Sequence, residues 1–512
     1  MNSKTWTRII ALTLFAALAL PLQLAAQNNA KHTHQYHHYQ LIDAGTFGGP
    51  VSALQNPNLP RAGVLNNRGT LVGWANTPGS DSPYCGFGNC YAGDAFQLQD
   101  GVTTDLGRLS GGFDSQANWI SENGLIAGLG DNGVQDPLAG FLIPYLHGLL
   151  WDHGIMTDLG TLPEGGNLVF PIGVNNRGEV VGLAQNTVPD PNSMFPPYPT
   201  QTRAFYWKDG VMQDLGTLGT GTDATAALIN ERGQVAGWSY TNSTPSAICA
   251  GFPFLFPLTT SSFIWDKHHG MHDIGGLGGT CTIAQDLNNR GQIVGNSALT
   301  GDTLLHPFVW DSATGMTDLG TASGNYGEAR AINDHGDVVG QVCDAAYTSC
   351  PAALWRKAGG KWRLTTLGTI VAGGCAKSTS VNASAQVVGT DWCAGLAGGL
   401  PFLSEDGGPV VDLNTLVPPN SGIQLVEGVQ INDRGEIAVQ GPDANGNEHA
   451  VLLIPCDQNH PGVEGCDYSM VDAASAAAQS AARPYVPSTT RNLSRSRGSN
   501  RLHMRGLPLA SK

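Results

Sequence analysis

The sequence predicts an all-β protein, a β-propeller of about eight four-stranded blades. Three observations lead to this fold class. A short motif recurs at spacings of 45 to 58 residues, the range of propeller blades. Each repeat contains about four short β-branched and aromatic runs, separated by glycine-rich turns. The chain begins with the last run of a repeat and ends with a repeat that lacks it, so we expect the N-terminal strand to close the ring by pairing into the last blade.

The first run of each repeat ends at an anchor position, mostly asparagine, with glycine three residues later. An asparagine side chain caps a tight turn, and glycine takes the positive φ that other residues resist. The residue four positions before each anchor is small or compact, which indicates that the first strand is the innermost one. The anchors are Asn66, Ser121, Asn175, Asn230, Asn288, Asn333, Asn382 and Asn432.

Two further segments follow each anchor. One carries a tryptophan, as in Arg203-Ala204-Phe205-Tyr206-Trp207, and the other ends in Asp-Leu-Gly, as at Asp214. This three-part pattern resembles the HAF repeat family of probable extracellular repeat proteins across roughly residues 41 to 454. The resemblance implies an exported repeat protein and supplies no established catalytic residues. Ser121, Ala385 and Thr366 depart from the anchor asparagine, the turn glycine and the Asp-Leu-Gly aspartate.

The segments that flank the repeats differ from them in composition. Residues 1–26 have the pattern of a signal peptide, a basic start and an apolar run too short to span a bilayer comfortably. Residues 27–40 are rich in histidine, and we interpret them as a flexible lead-in, although imidazoles can also bind a transition metal. Residues 41–455 form the predicted propeller, 456–472 a disulfide clasp and 473–512 a disordered basic tail.

Ten cysteines follow the predicted cleavage site, an even number that favours disulfides in an oxidising compartment. Locality along the chain suggests five pairs, although the sequence alone permits many other connectivities. A zinc site is less favoured, because no two close pairs have compact tetrahedral spacing. The suggested pairs are Cys85 with Cys90, Cys249 with Cys281, Cys343 with Cys350, Cys375 with Cys393, and Cys456 with Cys466.

The aspartates of the Asp-Leu-Gly segments are the most conspicuous carboxylates. Because they recur in nearly every repeat, we expect them to bind turn amides rather than to act in catalysis, which needs residues differentiated in role. The recurring tryptophans are likewise expected to pack between blades. These residues are Asp43, Asp105, Asp158, Asp214, Asp273, Asp318 and Asp412, with Trp151, Trp207, Trp265, Trp310 and Trp355.

No nucleophile elbow, zinc-protease or phosphate-loop motif occurs, and we expect no catalytic residues, metal or other cofactor. Long, variable second-to-third-strand connections lie on one face, as in residues 75–93 and 239–261. The leading hypothesis is therefore a secreted or periplasmic, non-enzymatic monomer that binds an extracellular or cell-envelope glycan or protein, and no nucleic acid. One alternative is a polysaccharide hydrolase or lyase whose titratable groups converge at the channel mouth. The other is a structural surface or adhesion component.

Overall fold

The computed structural model describes residues 34–54, 63–80, 90–138, 144–195, 198–251, 257–322, 326–392 and 399–482. The predicted signal peptide lies outside these ranges. Contacts divide the chain into residues 1–35 and residues 36–512. In the described part of the second unit, almost every element is a β-strand, and no described helix is long and apolar enough to cross a membrane.

Successive groups of four antiparallel strands form the blades, as predicted. The chain enters through β1 (Gln35–His37) and β2 (Tyr39–Asp43). Blade 1 comprises β3 (Ser52–Ala53), β4 (Leu71–Ser80), β5 (Tyr91–Gln99) and β6 (Val102–Asp105). Blade 2 comprises β7 (Ser115–Ile120), β8 (Ile126–Gln135), β9 (Pro144–Asp152) and β10 (Ile155–Asp158). Blade 3 comprises β11 (Val169–Val174), β12 (Val180–Pro189), β13 (Thr200–Lys208) and β14 (Val211–Asp214).

The next three blades repeat this arrangement. Blade 4 comprises β15 (Ala224–Ile229), β16 (Val235–Pro245), β17 (Leu258–Asp266) and β18 (Gly270–Asp273). Blade 5 comprises β19 (Gly278–Leu287), β20 (Ile293–Leu299), β21 (Leu305–Asp311) and β22 (Gly315–Asp318). Blade 6 comprises β23 (Tyr326–Ile332), β24 (Val338–Cys343), β25 (Ala352–Ala358) and β26 (Lys361–Gly368).

The last two blades bring the two ends of the propeller together. Blade 7 comprises β27 (Ala376–Val381), β28 (Val387–Asp391), β29 (Leu400–Ser404) and β30 (Val411–Asp412). Blade 8 takes β31 (Glu427–Ile431), β32 (Ile437–Pro442) and β33 (Glu448–Pro455) from the C-terminal end. Its fourth strand is β2, which pairs antiparallel with β33 from Tyr39↔Pro455 to Asp43↔Val451. The N-terminal strand therefore completes the last blade.

The first strand of each blade is the innermost, as its small residues predict. In blade 1, residues 63–65, just before the anchor Asn66, take the innermost place through the isolated bridges Gly63↔Trp119 and Leu65↔Leu71. This segment contacts the first strands on either side: Ile120 N donates to Gly63 O at 2.6 Å, and Gln430 Nε2 donates to Leu65 O at 2.8 Å. Seven of these strands, β7, β11, β15, β19, β23, β27 and β31, carry a bulge three residues before the anchor. A bulge changes the direction of the side chains beside it, so the residue at this position does not follow the regular alternation of side chains along the strand.

The anchor asparagines form a ring of hydrogen bonds at one end of the innermost strands. Each donates from Nδ2 to a backbone oxygen of the next anchor position; Asn288, for example, donates to Asn333 O at 3.0 Å. Where Ser121 replaces asparagine, Asn123 Nδ2 donates to Asn176 O at 2.8 Å instead. The repeat motif thus links each blade to the next. The anchor donors are Asn66, Asn175, Asn230, Asn288, Asn333, Asn382 and Asn432.

Three of the suggested disulfides are present between described cysteines. Cys249 pairs with Cys281, Cys343 with Cys350 and Cys456 with Cys466. Cys90 and Cys375 are also disulfide-bonded. Their suggested partners, Cys85 and Cys393, lie outside the described residues. The Cys249–Cys281 disulfide joins blades 4 and 5, and the Cys343–Cys350 disulfide closes a loop at the end of β24.

Both flanking segments are more ordered than expected. The prediction that residues 27–40 form a flexible lead-in is wrong for the C-terminal part of this segment. Tyr36 and Tyr39 are buried, and Tyr36 Oη donates to Pro409 O at 2.7 Å. The prediction that residues 473–512 form a disordered tail is wrong at the start of this segment, where α1 (Ala473–Ala482) follows β34 (Met470–Asp472). Alanine is the strongest helix former, which explains α1. Residues 27–33 and 483–512 lie outside the described ranges.

The long connections of blades 1 to 4 are extensions of the second and third strands. These strands continue as paired ribbons beyond a bulge, to Ser80↔Tyr91 in blade 1 and to Pro245↔Leu258 in blade 4. Because the strands of a blade run up and down in turn, the ribbons lie on the face where the innermost strands begin. This face is called the ribbon face below.

A histidine–aspartate pair ties the N-terminal strand to β33. His449 Nδ1 lies 2.9 Å from Asp43 Oδ1, which raises the pKa of His449 above 6.5, against burial. Burial alone would raise the pKa of Asp43, but hydrogen bonds from His449 and Gly45 outweigh burial and hold that pKa below 3.8. The pair therefore stabilises the fold most between pH 3.8 and pH 6.5, the ordinary pKa values of aspartate and histidine. The histidine contribution is lost as pH rises through its raised pKa, and the aspartate contribution as pH falls through its lowered pKa.

We expect Asp43→Asn to lower the melting temperature more at pH 5 than at pH 8. The coupling should amount to about 1 kcal/mol or less, because Asp43 is partly exposed and solvent screens the pair. A double-mutant cycle with His449→Gln, measured by thermal unfolding at both pH values, gives the coupling energy between the two side chains. A coupling energy that is equal at the two pH values would show that ionisation of the pair does not contribute.

Candidate functional site

The repeated aspartates have the structural role expected of them. In six of the seven segments, Oδ1 accepts the backbone N–H of the Gly two residues later, and Asp412 accepts that of Asn414 instead. Three also contact a histidine, in the pairs His147–Asp158, His306–Asp318 and His449–Asp43. These pairs belong to the third and fourth strands of blades 2, 5 and 8. They lie on separate blades, away from the innermost strands, and so do not form one site.

The recurring tryptophans pack between blades, as predicted. Trp151 and Trp355 are fully buried. Trp151 Nε1 donates to Leu106 O of blade 1 at 2.9 Å, and Trp355 Nε1 donates to Gly320 O of blade 5 at 3.3 Å. Their indole groups are therefore occupied within the protein rather than presented to a ligand.

Charged side chains instead converge on the innermost strands of blades 5 to 7, in a group we call the axial cluster. Lys377 of β27 and Arg330 of β23 share one carboxylate: Lys377 Nζ and Arg330 Nη1 lie 3.1 and 3.2 Å from Glu328 Oε1. Arg330 Nη1 also donates to Gln285 Oε1 of β19 at 3.2 Å. Tyr326 Oη donates to Glu328 Oε2 at 3.4 Å. Three blades thus contribute to one polar group.

The backbone explains how these residues meet. Glu328 and Lys377 occupy the same repeat position, five residues before the anchor, on adjacent strands. Arg330 and Gln285 occupy the bulge position of their strands. Tyr326 begins β23, so the cluster lies towards the ribbon face of the axis. It is mostly buried, but the Lys377 side chain keeps 24% of its surface accessible.

The charges of the axial cluster act on one another. Burial alone would raise the pKa of Glu328, but the charges and hydrogen bonds of Lys377 and Arg330 outweigh it and hold that pKa below its usual value. Burial and the positive charge of Arg330 lower the pKa of Lys377, against the attraction of Glu328. Burial and the nearby carboxylate of Glu328 raise the pKa of Tyr326 well above its usual value. The cluster therefore combines a carboxyl group and a lysine whose pKa values are both lowered with a phenol whose pKa is raised, all in contact around one carboxylate.

Sequence reasoning missed this cluster, although the repeat contains a signal for it. At the position of Glu328 and Lys377, blades 3 to 5 carry Phe170, Thr225 and Ile283. Blade 2 carries Gln116 there, but blades 8 and 1 also carry charged residues, Glu427 and Arg61. Four consecutive blades of the ring, 6 to 8 and 1, therefore have charges of alternating sign at this position. A charge at a repeat position that is uncharged in the remaining blades is not part of the common scaffold, so it marks a feature particular to the charged blades.

A separate cavity of about 1160 Å³ lies beneath α1, against blades 6 to 8. Its lining is mixed, with Ile370, Val411 and Ala477 beside Asp412 and Asp443. Ser480 Oγ donates to Asp412 Oδ2 at 2.7 Å, and Asp443 accepts hydrogen bonds from the loop of Asn445 and Asn447. Both carboxylates are engaged in holding the fold, which makes this cavity a weaker candidate than the axial cluster.

Comparisons with known proteins support the fold only. No family model and no curated protein matches the chain, so the resemblance to HAF repeats stays a prediction. Solved structures that are similar include a puromycin-hydrolyzing peptidase from Mycobacterium tuberculosis, at 13% identity and a TM-score of 0.42, covering 78% of this chain and 61% of that one. The propeller domain of the Trilobed protease from Pyrococcus furiosus is 10% identical with a TM-score of 0.39, covering 72% and 97%. An ulvan lyase is 11% identical with a TM-score of 0.33, covering 75% and 100%.

These comparisons correct the leading functional hypothesis. The comparisons do not support the prediction of a non-enzymatic binding scaffold: the solved propellers to which the chain is similar come from peptidases and from a polysaccharide lyase. This chain spans only about three fifths of the first peptidases, 61% of each. The low identities and TM-scores restrict the likeness to the propeller fold. The function of this chain therefore has to be inferred from its own residues, above all from the axial cluster.

Proposed function

We propose that the protein is a polysaccharide lyase that cleaves a uronate-containing polymer by β-elimination at the axial cluster. The observation that carries this proposal is the pair of cations, Lys377 and Arg330, held on one buried carboxylate at 3.1 and 3.2 Å. A partly buried lysine beside a guanidinium combines a group that can bind an acid with a group that can accept a proton, and titratable groups perturbed in this way cluster at functional sites.

Arg330 and Gln285 suit the carboxylate of a uronate residue. A guanidinium binds carboxylates through directed, charge-assisted hydrogen bonds, and the amide of Gln285 supplies an uncharged donor beside it. Arg330 Nη1 and Gln285 Oε1 are 3.2 Å apart, so the two side chains lie side by side. Neutralising the substrate carboxylate makes the neighbouring C5–H bond more acidic, which is the difficult requirement of this reaction.

Lys377 and Tyr326 suit the two proton transfers. In its neutral form, Lys377 Nζ takes the proton from C5, and the electron pair of that bond forms the C4–C5 double bond as the C4–O bond breaks. Tyr326, whose raised pKa keeps its hydroxyl protonated, donates a proton to the leaving oxygen. The products are an unsaturated uronate and a new chain end, and no water is consumed. Glu328 positions both cations.

Hydrolysis fits these residues less well. Glycoside hydrolysis commonly uses two carboxyl groups on opposite sides of the scissile bond, one as acid and one as base or nucleophile. The axial cluster as defined holds one carboxylate, and that one is bound to two cations and a phenol. We therefore favour elimination over hydrolysis.

The direct test is to incubate the purified chain with polygalacturonate, alginate, hyaluronan and ulvan, and with a neutral glucan as control. Elimination is expected to produce ultraviolet absorbance from the C4–C5 double bond together with new reducing ends, and only from the uronate polymers. New reducing ends without that absorbance would indicate a hydrolase. No new ends from any uronate polymer would refute the proposal.

The remaining expectations belong to the same proposal. We propose that the protein acts outside the cytoplasm as a monomer and that its repeats are of the HAF type. The disulfides Cys249–Cys281, Cys343–Cys350 and Cys456–Cys466 support an oxidising compartment. A polymeric substrate also favours an exported enzyme, because large polysaccharides do not enter cells.

A further inference from the structure

The loop that follows β24 presents an aromatic ring beside the axial cluster. Cys343 and Cys350 close this loop with a disulfide. Within it, Asp344 accepts hydrogen bonds from Thr348 N at 2.8 Å and Thr348 Oγ1 at 2.5 Å. Asp344 O also accepts the backbone N–H of Tyr347 at 3.1 Å. The loop is therefore cross-linked in several places although it carries no regular secondary structure.

Tyr347 stands at the tip of this loop in an unfavourable backbone conformation. Its φ is +55°, in the left-handed region that non-glycine residues seldom occupy, and 57% of its surface is exposed. Burial cannot be the reason for this tyrosine, because most of the ring faces solvent. Such conformations persist where the surrounding structure imposes them, and they are often found at sites that bind ligands.

The exposed ring is continuous with the proposed site. The rings of Tyr347 and Tyr326 lie 5.9 Å apart between centroids, at an angle of 50°. Tyr326 in turn donates its hydroxyl to Glu328, the carboxylate that holds Lys377 and Arg330. One chain of contacts thus runs from solvent on the ribbon face to the charged groups at the axis.

We propose that Tyr347 is a subsite residue that stacks against a pyranose ring of the polymer, next to the sugar whose carboxylate meets Arg330. This inference rests on the proposed function for the nature of the ligand. A tyrosine offers a flat apolar face together with a hydroxyl, and a pyranose presents a face of C–H groups to it while its hydroxyls remain solvated. The charged groups select an acid, and the aromatic ring fixes the position of the neighbouring sugar.

Tyr468 shows what an exposed tyrosine without such a role does. It is 48% exposed, but its hydroxyl accepts from Gly462 N at 3.0 Å and donates to His460 O at 3.1 Å, which ties together its own loop. The ring of Tyr347 instead contacts Tyr326, a residue of the axial cluster. Tyr468→Phe is therefore a suitable control, as a change to an exposed tyrosine on the clasp loop.

The test measures binding and turnover separately. Calorimetry would titrate tetrasaccharides of galacturonate, of mannuronate and of alternating glucuronate and N-acetylglucosamine into the chain carrying Lys377→Met, which is not expected to turn over. We expect Tyr347→Ala to weaken binding of the recognised tetrasaccharide about tenfold, Tyr347→Trp to retain it and Tyr468→Phe to leave it unchanged. In the active chain, Tyr347→Ala should raise KM with little change in kcat, because stacking is the same in ground and transition states.

The outcomes distinguish the subsite from the activity. Elimination by the wild-type chain with unchanged binding and KM in Tyr347→Ala would overturn the subsite and leave the lyase intact. Weaker binding in Tyr347→Ala without any elimination by the wild-type chain would support the subsite and overturn the lyase. Failure of all three tetrasaccharides to bind would overturn the subsite. Replacing both Cys343 and Cys350 by serine should weaken binding in the same direction, because it releases the loop that holds Tyr347.

Discussion

Replacing Lys377 with methionine is expected to abolish elimination while the protein stays folded and still binds the polymer. Methionine keeps most of the apolar stem but has no group that can take a proton. Loss of a general base typically lowers kcat by about 10²- to 10⁴-fold. Glu328 retains its contact with Arg330 at 3.2 Å, so the buried carboxylate keeps a countercharge. The measurement is the initial rate of double-bond formation, with calorimetric binding of the tetrasaccharide as the parallel readout.

The same lysine predicts how the rate depends on pH. Lys377 must be neutral to accept a proton, so kcat/KM should rise with pH as the Lys377 ammonium loses its proton. Because burial and the charge of Arg330 lower its pKa from 10.5, this rise should occur below the usual lysine range. Glu328→Gln removes the charge that favours the protonated form, and the rise should then move to lower pH. A purely structural Glu328 would change the rate without moving the profile.

Two results would contradict this assignment of roles. If Lys377→Met retained more than about a tenth of the wild-type kcat, Lys377 would not be the base, since loss of a general base costs far more. If the variant also lost thermal stability and binding, the lysine would be a structural partner of Glu328. Lys377→Arg separates the two cases, because it preserves the positive charge beside Glu328 but cannot become neutral.

The scaffold was predictable because its signals recur. The anchor asparagines mark the end of every innermost strand except that of blade 2, and their amides make the same contact to the next blade each time. Asp214 and its equivalents bind turn amides, as their repetition indicates. A local hydrogen-bond pattern that recurs along a chain can be recognised without coordinates, because each copy confirms the others.

The axial cluster could not be predicted in the same way. Gln285 and Arg330 are 45 residues apart in sequence, and Glu328 and Lys377 are 49 residues apart, since the members of each pair take the same place in different repeats. Their meeting depends on the bulges and on the closeness of neighbouring blades, neither of which leaves a distinct pattern in the sequence.

The error over residues 27–40 has a different origin. The histidines dominated the composition, whereas two tyrosines, Tyr36 and Tyr39, decide the structure by being buried.

Replacing Gly340 with alanine is expected to destabilise blade 6 and to displace the cluster. Gly340 lies opposite Ala329 in the pairing of β23 with β24, and a Cβ there would come within 1.7 Å of Glu328 O. That neighbour is backbone, so β23 itself would have to move. Overpacking of this kind costs about 1 to 3 kcal/mol and occasionally more. The displaced residue carries the carboxylate that positions Lys377 and Arg330, so activity should fall as well as stability.

A matched pair of glycine variants separates these two effects. Gly237→Ala creates the same collision in blade 4, where a Cβ would come within 1.9 Å of Thr225 O, but that strand contributes nothing to the axial cluster. Gly251→Ala meets no atom within 4 Å and should leave stability within about 0.5 kcal/mol of the wild type. Urea unfolding should therefore show similar losses for Gly340→Ala and Gly237→Ala, while kcat of the folded protein falls only in Gly340→Ala. Equal activity in these two variants would mean that the backbone of Glu328 does not set the geometry on which elimination depends.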